Sequence, residues 1–155
     1  MDSLRVNADK IIKDYAFGST LTGFIPLPFL DMMSLVGVQR IMIYRLSKLY
    51  GVPYSKTLAR SFLASLMSSF TATAASPALG GILKIIPGIG TFAGGVGMAA
   101  MGSASTYALG KVFQQHFESG GTLNNFDPEA VKETLQERFE QGKELSKKHH
   151  KKRTI

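Results

Sequence analysis

The side chains that could carry out nucleophilic, acid–base or metal chemistry are few in this sequence. It has no cysteine and three histidines, His116, His149 and His150. None of these histidines has an acidic or histidine partner at metal-ligand spacing on a helix, and the last two stand among Lys and Arg residues that would repel a cation. No serine, lysine or carboxylate pair has the pattern of a nucleophile with its base. We therefore expect no enzyme activity, no metal, no cofactor and no small-molecule substrate.

A glycine-rich run from Lys84 to Ser105 could either cradle a phosphate or let helices approach closely. A dinucleotide-binding glycine motif follows a strand and precedes an acidic residue by about 20 positions. Here the sequence before the run has a charge-free, helical pattern, and the first acid after it is Glu118. A phosphate-binding loop would need Ser or Thr after Gly110–Lys111, where Val112 stands. The run is therefore not predicted to bind a nucleotide.

The same run has the spacing of a close-packing surface. Small residues four positions apart form a flat ridge on a helix, which lets backbones touch in lipid. The residues predicted to make this helix–helix contact are Gly90, Gly94, Gly95, Ala99 and Gly102. Lys84 is the only charged residue between Ser61 and Gly110, and a membrane span needs about 20 apolar residues. We predict an apolar helical hairpin over residues 61–110 that inserts into or embeds in a bilayer.

The elements around this hairpin are also predicted to be helical. Asn7 is predicted to cap a first helix that stops near Gly18, and two prolines separate it from a second helix over residues 29–50. Gly51 is predicted to cap the second helix at its C-terminus. Two further helices are expected over residues 55–83 and 91–117. Without strand alternation or a repeat, the predicted class is all-α, a small helical bundle.

The C-terminal region has its own pattern. Gly120 and Gly121 are predicted to end the preceding helix, and Asp127 to cap a last helix that has Pro128 at its first position. This helix carries Val131, Leu135 and Phe139 on a narrow apolar stripe and is predicted to dissolve into the basic tail. We therefore predict a helical domain over residues 1–126, followed by an amphipathic helix and basic tail over residues 127–155.

Positive charge is concentrated near the two ends of the chain, whose net charge is +7. Residues 1–60 carry eight Lys and Arg residues against four acids, and residues 143–155 carry six against one. Such clusters attract anionic surfaces, and near a bilayer each cation contributes about 1 kcal/mol. The residues predicted to bind anionic lipid are Arg40, Arg45, Lys48, Lys147, Lys148, Lys151, Lys152 and Arg153. A nucleic-acid role would rest on the tail alone and is not favoured.

Part of the sequence resembles a bacterial domain family of unknown function. The residues that carry the resemblance are Tyr15, Pro26, Pro28, Asp31, Gln39, Tyr50 and Gly51. "PGIGT" at 87–91 and "TYALGKVFQQHFESGG" at 106–121 resemble the second half of the family, so the resemblance covers residues 8–121. Members of the family occur fused behind Era-like small GTPase domains, or as stand-alone proteins related to YcjF-type membrane proteins.

The resemblance implies an all-helical, membrane-associated module that works with a GTPase, and it brings no catalytic residue. Because this chain lacks a phosphate-binding loop, the nucleotide switch would belong to a separate protein. We predict a non-enzymatic anchor or effector partner of an Era-like GTPase at the bacterial cytoplasmic membrane, with both termini on the cytoplasmic side. Two alternatives stay open: a soluble helical adaptor in the cytoplasm, and a homo-oligomeric pore built from the small-residue helices.

Overall fold

Five α-helices account for most of the residues that a computed structural model of the chain describes, which are residues 1–18, 28–74 and 96–153. The helices are α1 (Asp2–Gly18), α2 (Pro28–Leu49), α3 (Lys56–Ala74), α4 (Val96–Glu118) and α5 (Lys132–Arg153), with a 3-10 turn at Leu123–Asn125. No strand occurs within these ranges. The predicted all-α class and small helical bundle are confirmed.

Glycines end α2 and α4, as the sequence predicts. Gly51 and Gly120 have φ angles of +69° and +86°, in the left-handed region that favours glycine. After Gly51, the Val52 N–H donates to the Ser47 carbonyl at 2.7 Å, and the turn after α4 has the equivalent bond at 2.9 Å. Both turns are Schellman motifs, which satisfy carbonyls that have no partner within the helix.

The helix starts differ more from the sequence pattern. The prediction that Asn7 caps the first helix is wrong, because α1 already begins at Asp2. The Asp2 carboxylate lies in the first turn, where the positive end of the helix dipole stabilises it. At α3 the prediction is close: Ser55 precedes the helix, and its Oγ accepts the Leu58 N–H at 3.3 Å.

The last helix differs from its prediction at both ends. Asp127 Oδ1 accepts the Glu129 N–H at 3.0 Å and caps a turn, so that α5 begins only at Lys132. The helix then continues to Arg153, where the sequence predicted that it would dissolve. Cations in the last turns of a helix interact favourably with its negative end, and Glu–Lys pairs three residues apart add support. Such a pair joins Glu140 to a lysine at 3.1 Å.

Helix α4 is the centre of the bundle, with α1, α2 and α5 packed against it. Small residues of α4 allow this approach. A Cβ atom on Gly110 would lie 2.7 Å from Ile12 of α1 and 3.1 Å from Met42 of α2. On the side of α5, a Cβ on Gly142 would lie 2.9 Å from the Ala104 Cα. Three helices therefore cross α4 where it has little or no side chain.

Aromatic rings pack against one another where the chain follows on from the end of α4. Phe126, just after the 3-10 turn, stacks on Phe113 with ring centroids 4.5 Å apart. The Phe62 ring of α3 lies with its centroid 4.9 Å from that of Phe126. These contacts attach α3 to the bundle next to its contact with α2.

The ends of the predicted apolar hairpin lie inside this core. Leu63 and Leu66 near its start and Leu109 near its end are fully buried in the bundle. Its middle, residues 75–95, lies outside the described residues. None of the helices in the described ranges is both long and apolar enough to cross a bilayer. Lipid contact by the hairpin stays a prediction, and it concerns the segment between α3 and α4.

Helix α5 packs along α4 with the apolar stripe that the sequence indicates. Leu135 and Phe139 are buried, and Val131 is half-buried against the core. The predicted division between residues 1–126 and 127–155 stays a prediction.

The crossing of α5 over α4 gives a test of the packing. We expect Gly142→Ala to lower the free energy of unfolding by about 1–3 kcal/mol, because the new Cβ would meet backbone atoms of Ala104 at 2.9 Å. Gly37→Ala is the matched control, since no described atom lies within 4 Å of its Cβ. The control should stabilise α2 by up to about 1 kcal/mol. Urea unfolding followed by circular dichroism measures both, and equal stabilisation by the two substitutions would contradict the close approach.

Candidate functional site

Contacts along α4 fix the direction of α1. Arg5 Nε lies 3.3 Å from a carboxylate oxygen of Glu118, at the last residue of α4. Further along α1, Ile12 reaches Gly110. The two helices therefore run antiparallel, and the end of α1 lies toward the start of α4.

Helix α2 runs the other way. Its Gln39 donates to Thr106 Oγ1 at 3.2 Å, and Tyr50, just after the helix, donates to Glu118 Oε1 at 2.8 Å. The later residue of α2 contacts the later residue of α4, so the two helices are parallel. The start of α2 therefore lies at the same end of the bundle as the start of α4.

Helix α5 returns along α4. Helix α4 ends at Glu118, and Gly142 of α5 lies against Ala104, which is 14 residues before that end. The two helices are antiparallel, and the last turns of α5 lie level with the first turns of α4.

These last turns present four lysines on one face. Lys147 and Lys151 are four residues apart, as are Lys148 and Lys152, a spacing that places them on one side of a helix. All four are exposed. Lys147 lies 3.1 Å from Glu144, which leaves the other three to dominate the local charge. Arg153 is the last residue of the helix.

The opposite side of the same turns contacts the bundle. Ser146 is buried, and the His149 ring stacks on Phe17 of α1 with centroids 5.0 Å apart and planes within 10°. This stack holds the end of α5 beside the end of α1. We call residues 147–153, together with Phe17, the basic end of the bundle.

The end of α1 and the starts of α2 and α4, which lie toward the basic end, connect to two sequence stretches with almost no charge. Residues 19–27 connect the end of α1 to the start of α2, and residues 75–95 lead into the start of α4. Lys84 is the only charged residue in these two stretches. The lysine face of α5 thus lies next to the described helix ends to which these two stretches connect.

A polar network occupies the other end, around Glu118. Its Oε1 accepts hydrogen bonds from Tyr50 at 2.8 Å and from Gln114 at 3.2 Å. Burial, followed by the hydrogen bond and the negative charge of Glu118, raises the pKa of Tyr50 to about 12. The network joins the start of α1 and the end of α2 to the end of α4.

A buried amide sits between α2 and α4. Gln39 is fully buried, and its Nε2 donates to Thr106 Oγ1 and, at 3.4 Å, to Ser105 Oγ. Its Oε1 and the buried Ser103 Oγ have no partner among the described residues. Because an unsatisfied buried amide is costly, these bonds specify one register of α2 against α4.

A second basic surface lies on the outer side of α2. The Arg45 guanidinium lies 5.7 Å from the centre of the Tyr15 ring, and Lys48 Nζ lies 5.9 Å from that of Tyr44. Arg40 is half-buried on the same helix. None of the three cations has an ion pair with any carboxylate in the described part of the chain.

The structure brings the predicted lipid-binding residues into two groups, and it separates the groups. Met42 lies at the same height along the bundle as Gly110. Because α2 and α4 are parallel, Arg45 lies at about the height of residue 113 of α4. Gly142 is level with Ala104, which puts the lysine face near the start of α4. Helical rise makes the distance between the two groups about 20 Å along the bundle.

Comparison with known proteins agrees with the sequence resemblance. The family described as "Domain of unknown function (DUF697)" matches residues 1–144. The chain belongs to this family. The match extends beyond residues 8–121 and includes the first half of α5. No solved structure matches the chain.

This DUF697 chain is similar in sequence to a protein that is named as a membrane protein. The chain is 37% identical over 142 residues to "Magnetosome membrane protein 22" of Magnetospirillum gryphiswaldense. The alignment covers 91% of this chain and 73% of that protein. The fusion of family members to Era-like GTPases stays a prediction.

The family-motif residues named from the sequence are mostly structural in this DUF697 chain. Tyr15 supports Arg45, Gln39 joins α2 to α4, and Tyr50 and Gly51 end α2. Pro28 and Asp31 lie in the first turns of α2. Pro26 lies outside the described residues.

The predicted helix-packing residues are only partly described. Gly90, Gly94 and Gly95 lie outside the described residues, and Ala99 lies in the first turn of α4. Gly102 is half-buried, and its carbonyl accepts the Ser105 hydroxyl at 3.0 Å. Their contact with another helix in lipid stays a prediction.

Sequence reasoning missed two contacts of the DUF697 fold. The Tyr50–Glu118 bond had a signal, because each residue stands just before a glycine-terminated helix end. The Phe17–His149 stack had none, since the two rings belong to unrelated parts of the sequence.

The Tyr50 network predicts a pH dependence. The Tyr50 pKa rises from 10.0 to about 12 on folding, so its contribution to stability is complete below pH 10 and is lost as the pH rises from 10 toward 12. Tyr50→Phe should remove this part of the alkaline loss of stability. Urea unfolding at several pH values between 9 and 12 measures it. Tyr44→Phe, which removes an exposed phenol, is the control, and an unchanged alkaline slope in Tyr50→Phe would contradict the prediction.

Proposed function

We propose that this protein is a non-enzymatic, membrane-associated helical module that contacts an anionic bilayer with its basic end. The observation that carries the proposal is the position of the lysine face beside the end of α1 and the start of α4, the helix ends to which the sequence stretches 19–27 and 75–95 connect. The relative named as a magnetosome membrane protein supports it, at 37% identity over 142 residues.

The two features act together at a bilayer surface. Exposed lysines attract anionic headgroups, each contributing about 1 kcal/mol near the surface. The neighbouring apolar stretches supply the hydrophobic contact that basic residues alone lack. Residues 75–95 contain Lys84 alone among charged residues. With the lysines at the headgroups, the rest of the bundle stands in water.

We further propose the bacterial cytoplasmic membrane as the location, with both termini on the cytoplasmic side. The support is the excess of Lys and Arg in residues 143–155 and in residues 1–60, because basic segments remain on the cytoplasmic face.

Vesicle binding tests the basic end. We expect the triple substitution of Lys148, Lys151 and Lys152 to Gln to lower binding to phosphatidylglycerol-containing vesicles by about 100-fold, since three lysines contribute about 1 kcal/mol each. Flotation of the full chain with vesicles measures the partition. The matched control changes three other exposed lysines, Lys10, Lys56 and Lys132. It removes the same net charge away from the basic end and should leave most of the binding intact.

Each other outcome decides against a part of the proposal. Equal losses in the two triple variants would mean that net charge alone drives binding. Recovery of the unmodified protein in the soluble fraction with vesicles present would favour the soluble adaptor. Release of a trapped dye from the same vesicles would favour an oligomeric pore.

We also propose that the module is an anchor or effector for a separate Era-like GTPase, on the basis of the family resemblance. An effector binds one nucleotide state more tightly than the other. We expect the Era-like GTPase of the same cell to bind at least about tenfold more tightly in its GTP-analogue form than in its GDP form. Calorimetry with each form measures the difference. A small GTPase from outside the Era-like group is the control, and binding to neither form would contradict this part.

A further inference from the structure

One face of α2 has the residue spacing of a coiled-coil seam. Gly37, Ile41, Tyr44 and Lys48 follow one another at intervals of four, three and four residues, the spacing of heptad a and d positions. Ile41 and Tyr44 are 47% and 43% exposed. No described atom lies within 4 Å of a Cβ placed on Gly37. We call these four residues the α2 seam.

Arginines flank the seam at the positions that select a partner. Arg40 and Arg45 occupy the g and e positions beside the seam, where charged residues determine which helix pairs. Neither forms an ion pair within the described ranges. Tyr15 lies beneath the Arg45 guanidinium at 5.7 Å. Both arginines are therefore available to carboxylates outside the described chain.

The central ring of the seam is held in place. Tyr54, in the turn before α3, meets Tyr44 edge to face with centroids 5.2 Å apart. Aromatic and Arg side chains on a rigid support are typical of the residues that contribute most to protein–protein binding. A pre-positioned ring loses little side-chain entropy when a partner covers it.

We propose that the α2 seam docks an acidic amphipathic helix of a partner protein. Apolar side chains of that helix would pack over Gly37 and between Ile41 and Tyr44, as an amphipathic helix packs into a groove. Its flanking Glu or Asp residues would meet Arg40 and Arg45, whose planar guanidinium groups bind carboxylates in a bidentate manner.

A second copy of the chain does not fit the seam. Pairing of two α2 seams would bring arginines against arginines, which is unfavourable in a helix pair. The acidic half of α5 has the right charge, with exposed Glu133, Glu137 and Glu140, but its exposed positions are polar. It offers no apolar side chain to the seam.

A bilayer does not fit the seam either, a step that rests on the proposed function. The seam lies about 20 Å along the bundle from the basic end. When the lysine face lies at the headgroups, Ile41 and Tyr44 stand in water. A soluble protein can then reach the seam while the module is on the membrane.

Designed peptides in lipid-free buffer test the inference. The probe is a helix of about three heptads with Leu at a and d and Glu at e and g. A scrambled peptide of the same composition and a peptide with Lys at e and g are the comparisons. We expect the Glu peptide to bind the full chain at least about tenfold more tightly than either one. Fluorescence anisotropy of labelled peptides measures the affinities.

Variants of the seam make the test specific. Ile41→Glu should weaken binding of the Glu peptide at least about tenfold. Val6→Glu, at a residue that is 66% exposed on α1, is the matched control and should change little. The double variant Arg45→Glu with Lys48→Glu should reverse the preference, so that the Lys peptide binds more tightly. Circular dichroism verifies that each variant is folded.

Three results would overturn the inference. Equal affinity for the Glu peptide and its scrambled form would mean that charge alone is recognised. Unchanged binding in folded Ile41→Glu would remove the seam from the contact. Loss of vesicle binding in the Arg45 and Lys48 double variant, as large as in the basic-end triple variant, would make the surface a lipid contact. Failure of vesicle binding in the unmodified protein would concern the proposed function alone, because the peptide test contains no lipid.

Discussion

The close approach of three helices to α4 is the constraint on which the rest of the structure depends. Ile12 and Met42 occupy the space that a side chain on Gly110 would fill, and Gly142 lies against Ala104. These crossings determine how far each neighbour is displaced along α4. Because of them, the last turns of α5, with their lysine face, lie level with the first turns of α4.

Polar contacts then make this packing specific, since small residues alone would allow helices to slide. The Gln39 Nε2 amide group donates to hydroxyls of α4 in one register. Glu118 accepts from Tyr50 and also pairs with Arg5, so one carboxylate connects three helices at one end. A shift of one helical turn in α2 would break both sets of bonds. Two of the motif residues of the first half of the chain, Gln39 and Tyr50, thus help to set the register of the bundle.

The parts that the sequence predicted well depend on local interactions. The left-handed turns at Gly51 and Gly120 and the buried stripe of Leu135 and Phe139 each follow from a short stretch of chain. The end of α5 could not be predicted in this way, because the stack of His149 on Phe17 joins distant residues.

The hairpin shows a different limit of sequence reasoning. Small residues four apart allow close packing in lipid and in water alike. Ala104 and Gly110, at the end of the predicted hairpin, use that property inside the bundle's own core. Composition could not distinguish the two environments, because a helix buried on several sides by protein is as apolar as one surrounded by lipid.

The antiparallel course of α5 has a consequence for how the two basic surfaces can work. Arg40, Arg45 and Lys48 lie on or beside the α2 seam, and five further Lys and Arg residues lie at the basic end. At about 20 Å, more than two Debye lengths at physiological salt, the two surfaces exert little electrostatic influence on each other. An anionic bilayer at one and an acidic helix at the other would therefore bind without competition. Any coupling between them must pass through the packed helices, and both α1 and α4 contact α2 as well as α5.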